Sequence, residues 1–298
     1  MSGRQLIIAV KRVSLKSAIR AYNRKMRRRG LAGLDTAIIL IAFIITASVL
    51  AYVAVNMGLF VTQKAKSTIT KGEETASTAL TLSGSVLYAV NYPTDTNSYW
   101  LYFPVSPSSG VSSVELSPAT TAISFTASSS GIELSNIYVF SLMSYVSNYY
   151  VTQTVSNQSQ GGQTYYYFTS PYAALVALSE IISNKQNTTP VPVNISTTKP
   201  TTTTDVNTFS FEYQRTTYYV TVYRTFAFTF PIAGFSLAGS DVAPAGSTIG
   251  VMVLFGPHAG SQVFQYQTVT VQITPNIGSP LTVSEYIYQP EGNVTIIG

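Results

Sequence analysis

From Thr36 to Gln63 the chain carries no charged side chain, and from Ala37 to Val55 it is apolar almost throughout. Those 19 residues reach about 28 Å at the helical rise, close to the ~30 Å core of a bilayer. The apolar positions surround the helix instead of lining one stripe, so a helix here needs cover on its whole circumference. The first proline is Pro93, and the helical pattern runs to about Lys71–Gly72. Gly72 offers a C-cap there, and Lys64, Lys66 and Lys71 suit the negative end of the helix dipole.

The texture changes at about Thr78. Short β-branched and aromatic runs follow at 80–90, 100–105, 112–116, 122–127 and 132–140, and again at 209–213, 216–231, 248–255, 262–274 and 280–289. Breakers such as Pro93-Thr94-Asp95, Pro107-Ser108-Ser109-Gly110 and the 128–131 stretch divide them. In 265–274 the polar residues Thr268, Thr270, Gln272 and Thr274 alternate with Val269, Val271 and Ile273, the period of a half-buried strand. The pattern predicts an α+β chain: a long N-terminal hydrophobic helix, then an antiparallel β-sandwich of immunoglobulin-like type. One helical insertion is expected over 171–182, with Pro171 in its first turn. The Thr-rich stretch 183–208, with Pro190, Pro192 and Pro200, reads as an exposed loop.

Charge sharpens the division. The net charge is +5, but the first 30 residues hold ten Lys and Arg and no acid. The remainder has seven bases against twelve acids, a net of −5. A nucleic-acid interface needs its basic residues on the folded domain, so that class is excluded. Ten bases ahead of an apolar span place the N-terminus on the cytoplasmic side.

The chemistry available is narrow. Without cysteine there are no disulfides, zinc–thiolate sites or thiol nucleophiles. The single histidine, His258, sits in a Gly256-Pro257-His258-Ala259-Gly260 turn. No Gly-x-Ser-x-Gly elbow, calcium loop or Gly-rich phosphate cradle accompanies it. The reading is of a non-enzyme with no cofactor, no metal and no small-molecule substrate. Asn157, Asn187, Asn194 and Asn293 each open an Asn-x-Ser/Thr sequon and are the candidate glycosylation sites.

Ala47, Ala51, Ala54 and Gly58 are spaced four, three and four, which puts four small residues on one helix face. Such a face lets neighbouring helix backbones approach closely. Asp35, near the start of the run, has two readings: a helix N-cap in competition with Thr36, or a charge partner setting register against a nearby amine.

The stretch Arg28-Arg29-Gly30-Leu31-Ala32-Gly33 resembles the class III, prepilin-type leader shared by archaeal pilins and archaellins. The segments Ala51-Tyr52-Val53-Ala54-Val55-Asn56-Met57-Gly58-Leu59-Phe60 and Thr62-Gln63-Lys64-Ala65-Lys66 resemble the N-terminal region of archaellins, the archaeal flagellins. The resemblance covers about 26–72. It implies a leader 1–30 removed by a prepilin-type signal peptidase after Gly30, leaving Leu31 as the mature N-terminus and Asp35 within reach of its free amine. It implies a helix 31–75 that spans the membrane first and forms a filament core later, and an outer domain 76–298. The implied function is the major structural subunit of the archaellum, an extracellular swimming filament. Its partners would be other copies of itself and the archaellum assembly machinery in the membrane. An adhesive type IV-like pilin is the runner-up, and a membrane-tethered sugar-binding surface protein a more distant third.

Overall fold

The computed structural model describes residues 3–76, 79–92, 97–147, 151, 153–185, 190–201, 204–261, 263 and 265–297, with backbone alone for 3–18, 21–32, 70–71 and 73–76. The chain divides into two compact units, Met1–Ile69 and Thr70–Gly298. The first is helix. Helix α1 runs over Gly3–Ala76 without interruption, four residues past the expected C-cap. Gly72 lies inside the helix, because the Glu73-Glu74 pair and Ala76 beyond it favour helix strongly enough to offset the ~1 kcal/mol cost of a glycine. Asp35 is likewise interior to α1, so it caps no helix terminus here.

The second unit is a mostly antiparallel β-domain. In chain order its strands are β1 (Leu80–Leu82), β2 (Leu87–Val90), β3 (Ser98–Pro107), β4 (Ser113–Glu115), β5 (Ala122–Ala127), β6 (Ile132–Leu134), β7 (Tyr138–Ser141), β8 (Ser156–Gln160) and β9 (Gln163–Tyr167). Helix α2 (Pro171–Ser183) is followed by β10 (Val193–Ser196), β11 (Asn207–Tyr213), β12 (Thr216–Val222), β13 (Phe226–Ala233), β14 (Val242–Pro244) and β15 (Thr248–Leu254). A short α3 (Pro257–Gly260) precedes β16 (Gln267–Thr274), β17 (Leu281–Ile287) and β18 (Val294–Ile296).

The central sheet has seven strands in the order β18-β2-β3-β15-β13-β7, with β1 also on β3. The pairing of β13 with β7 is parallel. Strands β13 and β15 are buried along nearly their whole length, as expected for strands covered on both faces. Cross-strand register sorts the two faces. Trp100, Tyr102, Met252, Leu254, Phe226, Phe228 and Phe230 share one face. There Tyr172 of α2 meets Trp100 edge-on at 6.0 Å, and it stacks on Phe211 of β11 at 4.8 Å. Helix α2 and the three-stranded sheet β10-β12-β11 therefore cover this side. The opposite face meets the four-stranded sheet β17-β16-β5-β6, with Phe125 of β5 against Phe255 at 5.2 Å. That second pairing is the sandwich legible in the strand runs.

Local chemistry fixes the details. Ser170 caps α2 by accepting the Ala173 amide at 3.2 Å, with Pro171 in the first turn, as the proline pattern led one to expect. Gly250 lies opposite Phe230 in the β13–β15 register. A Cβ on Gly250 would stand 2.6 Å from the Phe230 ring, so the glycine makes room for the aromatic stack. The stretch 183–208 differs from the expected loop. Its Val193-Asn194-Ile195-Ser196 segment pairs with β12 and buries Val193 and Ile195, because alternation over four residues outweighs the flanking prolines and threonines.

Candidate functional site

Gly33–Ile69 is a helical segment whose most apolar 18 residues have a mean hydropathy of 2.8, and it is long and apolar enough to cross a membrane. Every residue of it is exposed. Leu34, Ile39, Phe43, Leu50, Tyr52, Val55 and Phe60 are each more than half exposed, with Leu50 at 73%. At about 25 cal/mol per Å² of apolar surface, this segment gains substantial free energy from any surroundings that exclude water.

The hydroxyls of Thr36, Thr46, Ser48 and Thr62 make no demand on those surroundings. Thr46 Oγ1 donates to the Ala42 carbonyl at 3.0 Å, Ser48 Oγ to Ile44 at 2.7 Å and Thr62 Oγ1 to Gly58 at 2.8 Å. Thr36 Oγ1 does the same to Gly33 at 3.0 Å. Hydroxyls bound back to their own helix carry little desolvation cost into lipid or a protein core. At the C-terminal end Lys64 Nζ stands 5.9 Å from the centre of the Phe60 ring, a cation–π distance at which the apolar segment passes into a charged one.

Helix α1 carries Ala47, Ala51, Ala54 and Gly58 within an arc of about 60° at ~100° per residue. Open space surrounds the Gly58 Cα, and a Cβ there would meet nothing within 4 Å. Asp35 is exposed on the same helix. The backbone is helical through Arg28, Arg29, Gly30, Leu31 and Gly33, so the basic-to-apolar junction is one continuous helix in this chain.

The sequons occupy separate places on the β-domain. Asn157 is exposed on β8, Asn194 is exposed on β10 between two buried neighbours, and Asn293 is exposed just before β18. Asn187 lies outside the described residues. His258 is exposed on α3 and lines a cleft of about 400 Å³ with Glu133, Asn136 and Arg224. Among the described residues no three His, Asp or Glu side chains gather as a metal site.

Buried polar groups outside α1 were not foreseen from sequence. Asn207 Nδ2 donates to the Ser98 carbonyl at 2.7 Å and the Phe255 carbonyl at 2.9 Å. Tyr88 and Ser98 hydrogen-bond each other, and both reach the Val263 carbonyl. The cluster ties β2, β3, β11 and the segment after α3 together, an architectural role. A tyrosine inside an apolar run and an isolated asparagine at a strand start carry no local signal of such a link.

Solved structures with some likeness include the archaeal flagellum of Methanospirillum hungatei strain JF1, at 16% identity over 89% of this chain and 98% of that one, with a TM-score of 0.35. Another is the crystal structure of archaeal flagellin FlaB1 from Methanocaldococcus jannaschii, at 10% identity over 73% and 95% of the two chains, with a TM-score of 0.41. At scores this low the fold rests on the chain's own strand pairing. Sequence carries more. Probable flagellin 1 of Aeropyrum pernix is 43% identical over 97 residues, 33% of this chain and 46% of that protein. Flagellin FlaB2 of Saccharolobus shibatae is 61% identical over 306 aligned positions, 96% of this chain and 100% of its own length. A family profile described as archaeal-type flagellin matches residues 30–285. It begins at the junction glycine and takes in the exposed apolar helix and most of the β-domain, so the chain belongs to the archaeal-type flagellin family.

Proposed function

We propose that this chain is a major structural subunit of an archaeal flagellar filament, polymerising through α1 to build the extracellular propeller of a swimming cell. The observation that carries the reading is the helix of residues 33–69, apolar on every side around Ala37–Val55 and exposed along its whole length. Copies of the same helix supply the missing cover. A bundle of them removes on the order of 1,500 Å² of surface per contact, by analogy with ordinary interfaces, which corresponds to tens of kcal/mol before the entropy of assembly at about 25 cal/mol per Å².

The route into the filament follows from the same residues. The basic leader holds the N-terminus in the cytoplasm while the helix sits in the bilayer. A prepilin-type peptidase cuts after Gly30, whose missing side chain suits a narrow peptidase cleft, and Leu31 becomes the new N-terminus. Membrane assembly machinery then lifts the subunit from lipid into the growing core. The internally satisfied hydroxyls of Thr46, Ser48 and Thr62 suit both media. Ala47, Ala51, Ala54 and Gly58 form the face where helices approach closest, and Asp35 pairs with the Leu31 amine of its own or a neighbouring chain to set axial register. The β-domain forms the outer sheath, with Asn157, Asn194 and Asn293 exposed for glycans and Asn187 a fourth candidate. The sheath makes no contribution as an enzyme.

Intact-mass measurement of filaments sheared from cells tests the reading. A mature chain beginning at Leu31 is expected, and Gly30→Trp should leave uncut precursor in the membrane fraction. Filaments whose subunits still bear Arg28 and Arg29 would overturn the processing step.

A further inference from the structure

The outer face of the four-stranded sheet is almost free of charge. Behind it, Val269, Val271 and Ile273 of β16 and Ile123, Phe125 and Ala127 of β5 point into the core. Outward, Thr126, Thr270 and Ser284 stand in one cross-strand row, and Ser124, Gln272 and Thr282 in the next. Thr270 and Ser284 hydroxyls lie 3.0 Å apart. The acid on this face, Glu133 of β6, lies opposite Thr126 of β5, and β6 is the edge strand farthest from β17.

Three tyrosines close one end of this surface. Tyr286 follows Ser284 on the outward side of β17, opposite Thr268, and its ring meets that of Tyr288 at 5.0 Å and 67°. Tyr266 enters β16 with φ at 64°, a conformation that a bulky side chain adopts at a cost. It is held there by its amide on the Ile287 carbonyl at 2.6 Å and its hydroxyl on Gln289 Oε1 at 3.3 Å. The three rings are 57%, 40% and 64% exposed for Tyr266, Tyr286 and Tyr288. Adjacent exposed aromatics on a charge-poor sheet form an interaction patch, since isolated exposure is ordinary but clustering is not.

We propose that this face binds neutral carbohydrate, with Tyr286 and Tyr288 as stacking platforms and the Thr/Ser/Gln rows as hydrogen-bonding partners for sugar hydroxyls. The chemistry matches on three counts. A pyranose ring offers a flat apolar C–H face that an aromatic ring accepts through its negative π-surface. Its hydroxyls both donate and accept, as do Thr, Ser and Gln side chains, so each pairing is satisfied from either direction. The charge balance decides against ionic partners: covering these rows with a neutral polyol strands no charge, whereas a sulfated or phosphorylated polymer meets no counter-charge and loses its hydration. The binding goes beyond filament formation and gives the assembled sheath a use on neutral polysaccharide surfaces.

Co-sedimentation of sheared filaments with radiolabelled dextran, mannan and galactan, and with dextran sulfate as the charged control, tests it. Wild-type filaments should carry down at least one neutral polymer, be released by its free monosaccharide, and ignore dextran sulfate. Tyr286→Ala with Tyr288→Ala should weaken retention about tenfold, as loss of a central aromatic contact does. Ser284→Lys, which leaves the rings in place and puts a charge in the hydroxyl row, should weaken it as well. Retention of none of the three neutral polymers, preference for dextran sulfate, or binding unaltered in both variants would overturn the proposal. Loss of filaments in the tyrosine variant, with Ser284→Lys filaments still binding sugar normally, would overturn it in favour of a contact between copies. Absence of sedimenting wild-type filaments would instead count against the filament reading.

Discussion

Helix α1 and the β-domain are both rich in apolar side chains, yet only one of them places those side chains out of water. In the β-domain the alternation of strands such as β16 sends every second residue inward, and β13 and β15, apolar on both sides, lie between covering layers. The helix segment 33–69 has neither arrangement. Its apolar positions face every direction and all are exposed. Hydrophobicity alone therefore does not make a core. Patterning decides whether a segment finds its cover within the chain or must take it from outside, and here the two answers divide the molecule at about residue 70.

The sharpest way to break that comparison is to disturb the outside cover while leaving the inside alone. Ala51→Leu and Gly58→Leu add bulk to the small-residue face, where a few ångströms of extra separation removes contact along the whole helix pair. Both should abolish filaments, read by electron microscopy of the cell surface, while precursor and processed subunit still accumulate. Leu50→Ala, which removes bulk from a large interface, should leave filaments in place. Normal filaments in both leucine variants would mean that this face is not where helices meet.

The complementary disturbance acts inside the β-domain. Asn207→Ala leaves the Ser98 and Phe255 carbonyls without their donor and should cost about 1–3 kcal/mol. Gly250→Ala forces a Cβ against the Phe230 ring. That ring cannot swing away, because Tyr102, Phe168 and Phe228 surround it at 5.9, 5.9 and 5.7 Å. Overpacking of this kind costs about 1–3 kcal/mol. Calorimetry of residues 79–298 produced without α1 should show a cooperative transition lowered by about 2–4 °C per kcal/mol. An aggregated, unstructured fragment would show that the β-domain does depend on the helix.

Sequence exposed the helix side of this comparison more fully than the β side. The uncharged run, the small-residue spacing and the Gly30 junction are all local, and local patterns survive in one dimension. The sheet partners are not local: β3 pairs with β15 across about 150 positions, and nothing in either run names the other. Some elements escaped for physical reasons. Strands β8 and β9 form a hairpin around Gly161 and Gly162, both at positive φ, the conformation of a tight two-residue turn. The Gly-Gly pair signals it, but the flanking Ser, Gln and Asn residues look like loop. Runs read as single strands broke where the chain turns: 80–90 into β1 and β2, 132–140 into β6 and β7, and 216–231 into β12 and β13. The helical insertion at 171 was legible because a capping serine, a first-turn proline and an apolar run coincide. Its role as the cover of one sheet face was not.

The smallest effect separates the two regions by pH. In the β-domain, burial raises the Tyr102 hydroxyl to about 12, and it pushes Tyr138, Tyr99 and Tyr172 upward as well. Glu180 on α2 is also raised by burial, partly offset by the hydrogen bond from Thr154. A group whose value is raised on folding binds protons more tightly in the folded state. Its contribution is complete below the unfolded value and is lost as pH rises through the folded one. For the tyrosines that loss begins near pH 10 and reaches about 12 at Tyr102, so alkali should loosen the β-domain. For Glu180 the contribution is complete in acid and declines as pH rises above the ordinary glutamate value of about 4.3. Acidification therefore strengthens the domain at this residue, and Glu180→Gln, which cannot ionise, should flatten that part of the stability profile and raise the transition temperature slightly at pH 7. Wild-type filaments are expected to persist at pH 3. Light scattering across pH 2–12 checks both ends: a loss of scattering only above pH 10 places the weak point in the β-domain, and dissociation between pH 5 and 4 would reject the expected acid tolerance.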